Sequence, residues 1–271
     1  MIFANERLRL IFVHVPKCGG TYVEAVLSGH YDFAKIDRES PLLRRADHLD
    51  FCGGDLDRTI WGEWAYGIRC QGIVRYLEGH PAHAEIFGAP ASLRREYLSF
   101  SVVRCPYDRL VSAYAFLKGC RCHAIVSLDR AYMDSFALFV ASADLVCHAA
   151  FCHAFIPQHE HLLGADGALG VARVLRFEAL DAELCALLLE RGAGELTHLR
   201  PEHAEQLRAP AARNPSHREH ARVSAYYGQA ELDFVNTRFA ADFAHFGYAR
   251  YATVAEMAAA EAAETADAAP T

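Results

Sequence analysis

"FVHVPKCGGTY", residues 12–22, sets an apolar run directly against a proline, a lysine and a glycine pair. The residues "LRLIFVHV" (Leu8 to Val15) are short, apolar and β-branched, as in a buried strand, and Pro16 ends the run because proline donates no ladder hydrogen bond. Gly19 and Gly20 permit a tight turn whose backbone N–H groups approach a ligand, and "TYVEAVL" (Thr21 to Leu27) resumes with helical spacing. A strand, a glycine turn and a helix start together make an anion site, since unpaired N–H groups and the helix dipole both favour negative charge.

A nucleotide-binding P-loop of the Walker type puts its lysine after the second glycine, followed by Ser or Thr for magnesium. Here Lys17 precedes Gly19, Gly20 and Thr21, so an ordinary ATPase is disfavoured. The lysine is also a marked choice, because only three lysines (Lys17, Lys35, Lys118) occur among 27 Lys plus Arg. A compact ammonium suits a point charge better than a guanidinium fork does.

The second informative stretch is "YLSFSVVRCPYDRLVSAYAFL", residues 97–117. Tyr97 to Val103 reads as a buried strand with Arg104 at its carboxyl end, and Pro106 fits the first turn of the helix that follows. Ser112 lies about two turns into that helix. Ligands of open α/β sheets gather at the carboxyl ends of the strands.

Together these stretches resemble the cytosolic-to-Golgi superfamily of sulfotransferases that use 3'-phosphoadenosine 5'-phosphosulfate (PAPS). "PKCGGT" is similar to their 5'-phosphosulfate loop, usually Pro-Lys-Thr-Gly-Gly-Thr, and "VVRCPYDRLVSAY" to their 3'-phosphate motif. The carbohydrate and uronyl 2-O-sulfotransferase branch is the nearest in pattern. "FIPQHEHLLGADGALGVARVLRFEAL" (Phe155 to Leu180) resembles its Pro-Gln, Asp-Gly and Arg-Phe-Glu-x-Leu run, and the stretch Asn214 to Tyr248 its closing Tyr-Tyr, Asp and Phe-Gly-Tyr pattern. These matches occur in order across most of residues 8–248.

The resemblance implies a P-loop-like three-layer α/β fold with a central parallel sheet flanked by helices. It implies that Lys17, Cys18, Gly19, Gly20, Thr21 and Tyr22 bind the 5' end of PAPS, that Arg104 and Ser112 bind its 3'-phosphate, and that Lys17 is also catalytic. In "GHPAHAEIFG" (Gly79 to Gly88) it points to His80 as the base that deprotonates the acceptor hydroxyl, with His83 the runner-up. An imidazole titrates near neutrality and suits that role. Two positions depart from the pattern: Cys18 stands where threonine is usual and Cys105 where aspartate or asparagine is usual. The first removes a hydroxyl donor but keeps its N–H, and the second removes a helix cap.

Composition agrees. A chain of 271 residues with 52% hydrophobic content can bury a large core in one α/β domain. No apolar run approaches the roughly twenty residues of a membrane span. The first strand begins near the amino terminus, so we expect no signal peptide and a cytoplasmic enzyme, the alternative being a soluble catalytic domain of an anchored Golgi-type enzyme. The net charge is −7, and the four carboxylates of residues 252–271 leave −3 on the remainder. Nucleic acid is therefore not an expected partner, and a carbohydrate or glycan acceptor would need a local basic cleft. Tyr31 to Gly79 is a candidate acceptor wall because Trp61, Trp64 and Tyr66 could stack on sugar faces; core or lid packing explains them equally well.

Nine cysteines include the clusters "CRCH" (120–123) and "CHAAFCH" (147–153), whose spacing matches no standard zinc ribbon or finger. No metal is expected, since Lys17 and backbone dipoles can take the role that magnesium plays in kinases. "LDAELCALLLERGA" (Leu180 to Ala193) reads as an amphipathic helix capped by Asp181, and residues 218–246 as one or two more. The domain is expected to span residues 1–251. The rest, "ATVAEMAAAEAAETADAAPT", reads as a disordered tail or frayed helix. Two rival functions remain at this point, a P-loop-like nucleoside or sugar kinase and a catalytically silent glycan-binding relative.

Overall fold

The computed structural model describes residues 2–5, 7–20, 22–23, 26–27, 34–35, 97–119, 130–144, 152–162, 168–192 and 218–267. The strands are β1 (Ile2–Asn5), β2 (Leu10–Val13), β3 (Ala34–Lys35), β4 (Leu98–Val103) and β5 (Arg173–Arg176). The helices, apart from the short helical stretch that starts at Gly20, are α1 (Pro106–Gly119), α2 (Phe136–Ala141), α3 (Cys152–Phe155), α4 (Leu180–Glu190), α5 (Gln229–Arg238), α6 (Ala240–Phe246) and α7 (Val254–Asp267). The chain folds into two compact units, one of residues 1–104 and 158–215, the other of residues 105–157 and 216–271.

The first unit is built on a sheet of order β3-β1-β2-β4-β5. Strands β2, β4 and β5 run parallel, with Leu10 opposite Leu98 and Phe100 opposite Arg173, and this parallel core with its flanking helices is the α/β architecture expected. β1 and β3 extend it by antiparallel pairing. Every residue of β2 is buried, and β4 is buried from Ser99 onward, as apolar runs in the middle of a parallel sheet should be. Phe12 and Phe100 sit opposite each other with ring centroids 5.2 Å apart. The polar residues in β4 are satisfied: the Ser101 hydroxyl donates to the Val13 carbonyl at 2.7 Å, and the Ser99 hydroxyl accepts from the Ala172 N–H at 3.1 Å.

Two sequence expectations are corrected here. The strand expected from Leu8 starts at Leu10, because residues 7–9 form the turn of a β1–β2 hairpin with Arg9 at φ 53°. Arg191, just past α4, donates to the Leu8 and Arg9 carbonyls at 3.2 and 3.3 Å and so holds that turn. Asp181 does not cap α4, which begins one residue earlier and has Ala179 at the cap position. The helix itself is as expected, burying Leu180, Leu184, Leu187 and Leu188 at helical spacing, about 1.5–3 kcal/mol for each leucine.

The second unit is organised around α1, whose Tyr107, Leu110, Val111, Tyr114 and Leu117 are all buried. Arg109 is 1% exposed, so its charge must find partners: it donates to the Ile156 carbonyl at 3.0 Å and lies over the Phe239 ring. Tyr114, Phe136, Phe139, Tyr226 and Tyr227 form an aromatic cluster of tilted and edge-on rings. A closed ring of hydrogen bonds joins three segments. Tyr107 donates to Asn236 at 2.6 Å, Asn236 donates to the Tyr251 carbonyl at 2.9 Å, and the Tyr251 N–H donates to the Tyr107 oxygen at 3.1 Å.

The stretch that the sequence reads as a disordered tail or frayed helix is helical over most of its length. Residues 254–267 form α7, Met257 is 2% exposed, and the Glu261 carboxylate accepts from the Val223 N–H at 2.9 Å and from both the N–H and the hydroxyl of Ser224. Among the described residues no helix is long and apolar enough to cross a membrane.

Candidate active site

The first unit carries the loop that follows β2. Beyond Val13 the chain passes through His14 and Val15 and turns at Pro16 and Lys17. Lys17 has φ 67° and Gly19 φ 79°, with Cys18 between them. A positive φ on either side of Cys18 gives the alternation of handedness that backbone anion nests use. A left-handed lysine costs about 1–3 kcal/mol, the sort of strain retained where a turn must present a side chain.

Both glycines are dictated by their neighbours. A Cβ on Gly19 would fall 2.8 Å from the Phe177 ring, and one on Gly20 would fall 1.9 Å from the His14 Nε2. The imidazole and the phenyl ring therefore occupy the volumes that side chains at 19 and 20 would need. From Gly19 the chain enters a helix, its carbonyl accepting from the Tyr22 and Val23 N–H groups at 3.0 and 3.1 Å. The Tyr22 hydroxyl donates to Asp181 at 3.0 Å, which is what that carboxylate does in place of capping α4.

Arg104, just past the end of β4, is 7% exposed and joins the loop in this unit. Its guanidinium lies 4.0 Å over the Phe177 ring and donates to the Lys17 carbonyl at 3.3 Å. Phe177 thus packs against Gly19 and carries the arginine as well. Gln158, fully buried, accepts from the Arg104 N–H at 2.9 Å and donates to the Arg104 carbonyl at 2.8 Å. Its oxygen also takes the Cys18 thiol at 3.0 Å. Cys18 is 1% exposed, so its side chain points into the body, and only its backbone can serve the concave side of the loop.

Lys17, Cys18, Gly19, Gly20, Tyr22 and Arg104 are therefore brought together by β2, β4 and the turns that follow them. Ser112 belongs to the second unit, where it lies on α1 and is 7% exposed. Thr21, His80 and His83, the proposed acceptor wall from Tyr31 to Gly79 (Ala34 and Lys35 of β3 apart) and the side chains of the cysteine clusters lie outside the described residues. Among the described residues no group of histidine, cysteine, aspartate and glutamate is arranged to hold a metal ion.

Sequence reasoning left His14, Gln158 and Phe177 without a role. Gln158 and Phe177 stood inside the Pro-Gln and Arg-Phe-Glu patterns, but their partners are 54 or more residues away in sequence, so only the folded chain shows what they touch. Chemically, a lysine at the turn, a helix start and an arginine braced beside them are the kinds of group that suit an anionic ligand.

The model of the sulfotransferase family matches residues 1–249. No curated protein and no solved structure matches the chain. By that match the chain belongs to the sulfotransferase family and is a sulfuryl-transferring enzyme.

Proposed function

We propose that this sulfotransferase takes its sulfuryl group from PAPS and delivers it to a hydroxyl of a carbohydrate acceptor. The observation that carries the donor reading is the direct bond from the Arg104 guanidinium to the Lys17 carbonyl, which sets a second cation beside the phosphate loop. A donor with phosphate groups at both its 5' and 3' positions has a use for two such cations, whereas a singly anchored nucleotide does not. The acceptor reading rests on the likeness of residues 155–180 and 214–248 to the carbohydrate branch. Membership of the family sets the kinase alternative aside.

The roles follow from charge. Gly19, Gly20 and Thr21 hold the 5'-phosphate, while Arg104 and Ser112 hold the 3'-phosphate. Lys17 stabilises the charge that grows on the bridging oxygen as the sulfur–oxygen bond breaks. His80 takes the acceptor proton. By analogy with in-line phosphoryl transfer, the protein's work is alignment and charge stabilisation, with little covalent chemistry of its own.

Calorimetry tests the donor. Adenosine 3',5'-bisphosphate should bind without added metal and more tightly than adenosine 5'-phosphate, and Arg104→Ala should erase most of that preference. Equal loss for both nucleotides would remove Arg104 from the 3' site, and tighter binding of ATP with magnesium would overturn the donor reading.

A further inference from the structure

We infer that Gln158 is a positioning residue that ties the phosphate loop to Arg104, fixing the two halves of the anion site relative to each other before a ligand arrives; the inference rests on the reading of the site proposed above. The carboxamide is 0% exposed, and it offers an acceptor oxygen and a donor nitrogen on one planar group. Its Oε1 receives the Arg104 N–H at 2.9 Å and the Cys18 thiol at 3.0 Å, while its Nε2 donates to the Arg104 carbonyl at 2.8 Å. One oxygen therefore holds the loop and the strand end together.

The need for such a group comes from where β4 stops. Its last ladder pair is Val103 with Arg176, so the main-chain polar groups of Arg104 lie just past the end of the ladder. Buried backbone groups must be paired, and Gln158 pairs the N–H and the carbonyl of Arg104 at once. Asparagine is a methylene shorter, and a glutamate would keep the acceptor but lose the donor while burying a charge. The same geometry explains the departure at position 18. What the oxygen of Gln158 asks of that residue is a small side-chain donor, which cysteine, serine and threonine each provide. Cys18 is a substitution within that requirement.

The test compares Gln158→Met, Cys18→Ala, Cys18→Ser and the Gln158→Met/Cys18→Ala pair by calorimetry with adenosine 3',5'-bisphosphate and adenosine 5'-phosphate. A brace between loop and arginine matters most to the ligand that spans both. Gln158→Met should cut the preference for the bisphosphate by roughly tenfold, a coupling typical of residues in direct contact. Cys18→Ser, which keeps a side-chain donor for Gln158, should keep more of that preference than Cys18→Ala does, and the double variant should lose less than the sum of the single losses. A general loss of stability would lower the thermal midpoint and leave the ratio of the two affinities unchanged, which would overturn the inference, as would additive losses.

Amide hydrogen exchange in the unliganded protein decides the same point without any nucleotide. In Gln158→Met, or in Cys18→Ala if that variant alone folds, exchange should quicken together at Gly19, Gly20 and Arg104. Quickening confined to the substituted residue's own partner would overturn the brace. A wild-type protein with no preference for the bisphosphate would instead overturn the donor reading, and joint quickening would still sustain the brace.

Discussion

At the scale of single residues, the loop is shaped by what leans on it. Gly20→Ala drives a methyl into the space of the His14 Nε2, and overpacking of that kind costs about 1–3 kcal/mol. We expect a lower denaturation midpoint for Gly20→Ala and a partial recovery in the Gly20→Ala/His14→Ala pair, which removes the clash. Strictly additive losses in the two variants would show that the imidazole yields freely. Phe177 carries the Arg104 guanidinium at 4.0 Å, an attraction of about 0.5–2 kcal/mol. Phe177→Leu should weaken adenosine 3',5'-bisphosphate by several-fold and Phe177→Tyr should not, since tyrosine keeps the ring; equal behaviour of the two variants in calorimetry would count against the platform. The base proposed at His80 makes its own prediction. His80→Ala should lower turnover by roughly 10²–10⁴-fold with cofactor affinity within a few-fold, while His83→Ala should do little. The reverse result would move the base to His83.

At the scale of elements, α7 shows how a segment of unpromising composition is recruited. Alanine and glutamate supply helix propensity and little apolar surface, so the sequence of residues 252–271 reads as a disordered tail or frayed helix. Two side chains change the outcome. Met257 is buried, and Glu261 satisfies backbone N–H groups at Val223 and Ser224, bonds of the charge-assisted kind worth about 1.5–3 kcal/mol. Ending the chain after Tyr251 should therefore lower the thermal midpoint by several degrees, and Glu261→Ala should account for part of that fall. An unchanged midpoint on truncation would show that the docking adds no net stability.

At the scale of the whole molecule, alkaline pH is the condition that loosens the aromatic unit. Burial raises the hydroxyl pKa of Tyr107, Tyr227 and Tyr251, most strongly for Tyr227, whose hydroxyl donates to the Tyr107 carbonyl at 2.8 Å. A raised tyrosine pKa means that the folded state keeps a proton the unfolded state gives up. The stability tied to these groups is then complete below the ordinary tyrosine value of about 10 and declines as pH rises past it. Denaturation midpoints should be flat toward that pH and fall above it, less steeply in Tyr227→Phe. Tyrosines that all titrate at the ordinary value in the folded protein would refute this.

The sequence alone determined whatever depends on neighbours along the chain. The apolar runs of β2 and β4, the proline that opens α1, the leucine spacing of α4 and the reversed order of lysine and glycines in the loop are all local patterns, and each was legible. The β1 strand and the start of β2 were not, because four residues and a tight turn leave too short a periodicity to read. The tertiary structure decided what depends on distant partners. It made Cys18 a donor to Gln158 and not a ligand side chain, turned Asp181 from a cap into the acceptor of Tyr22, and drew α7 onto the second unit. The physical reason is common to all three: a buried polar group must be paired, and its partner is whichever group the fold brings within about 3 Å, however far away it lies in the chain.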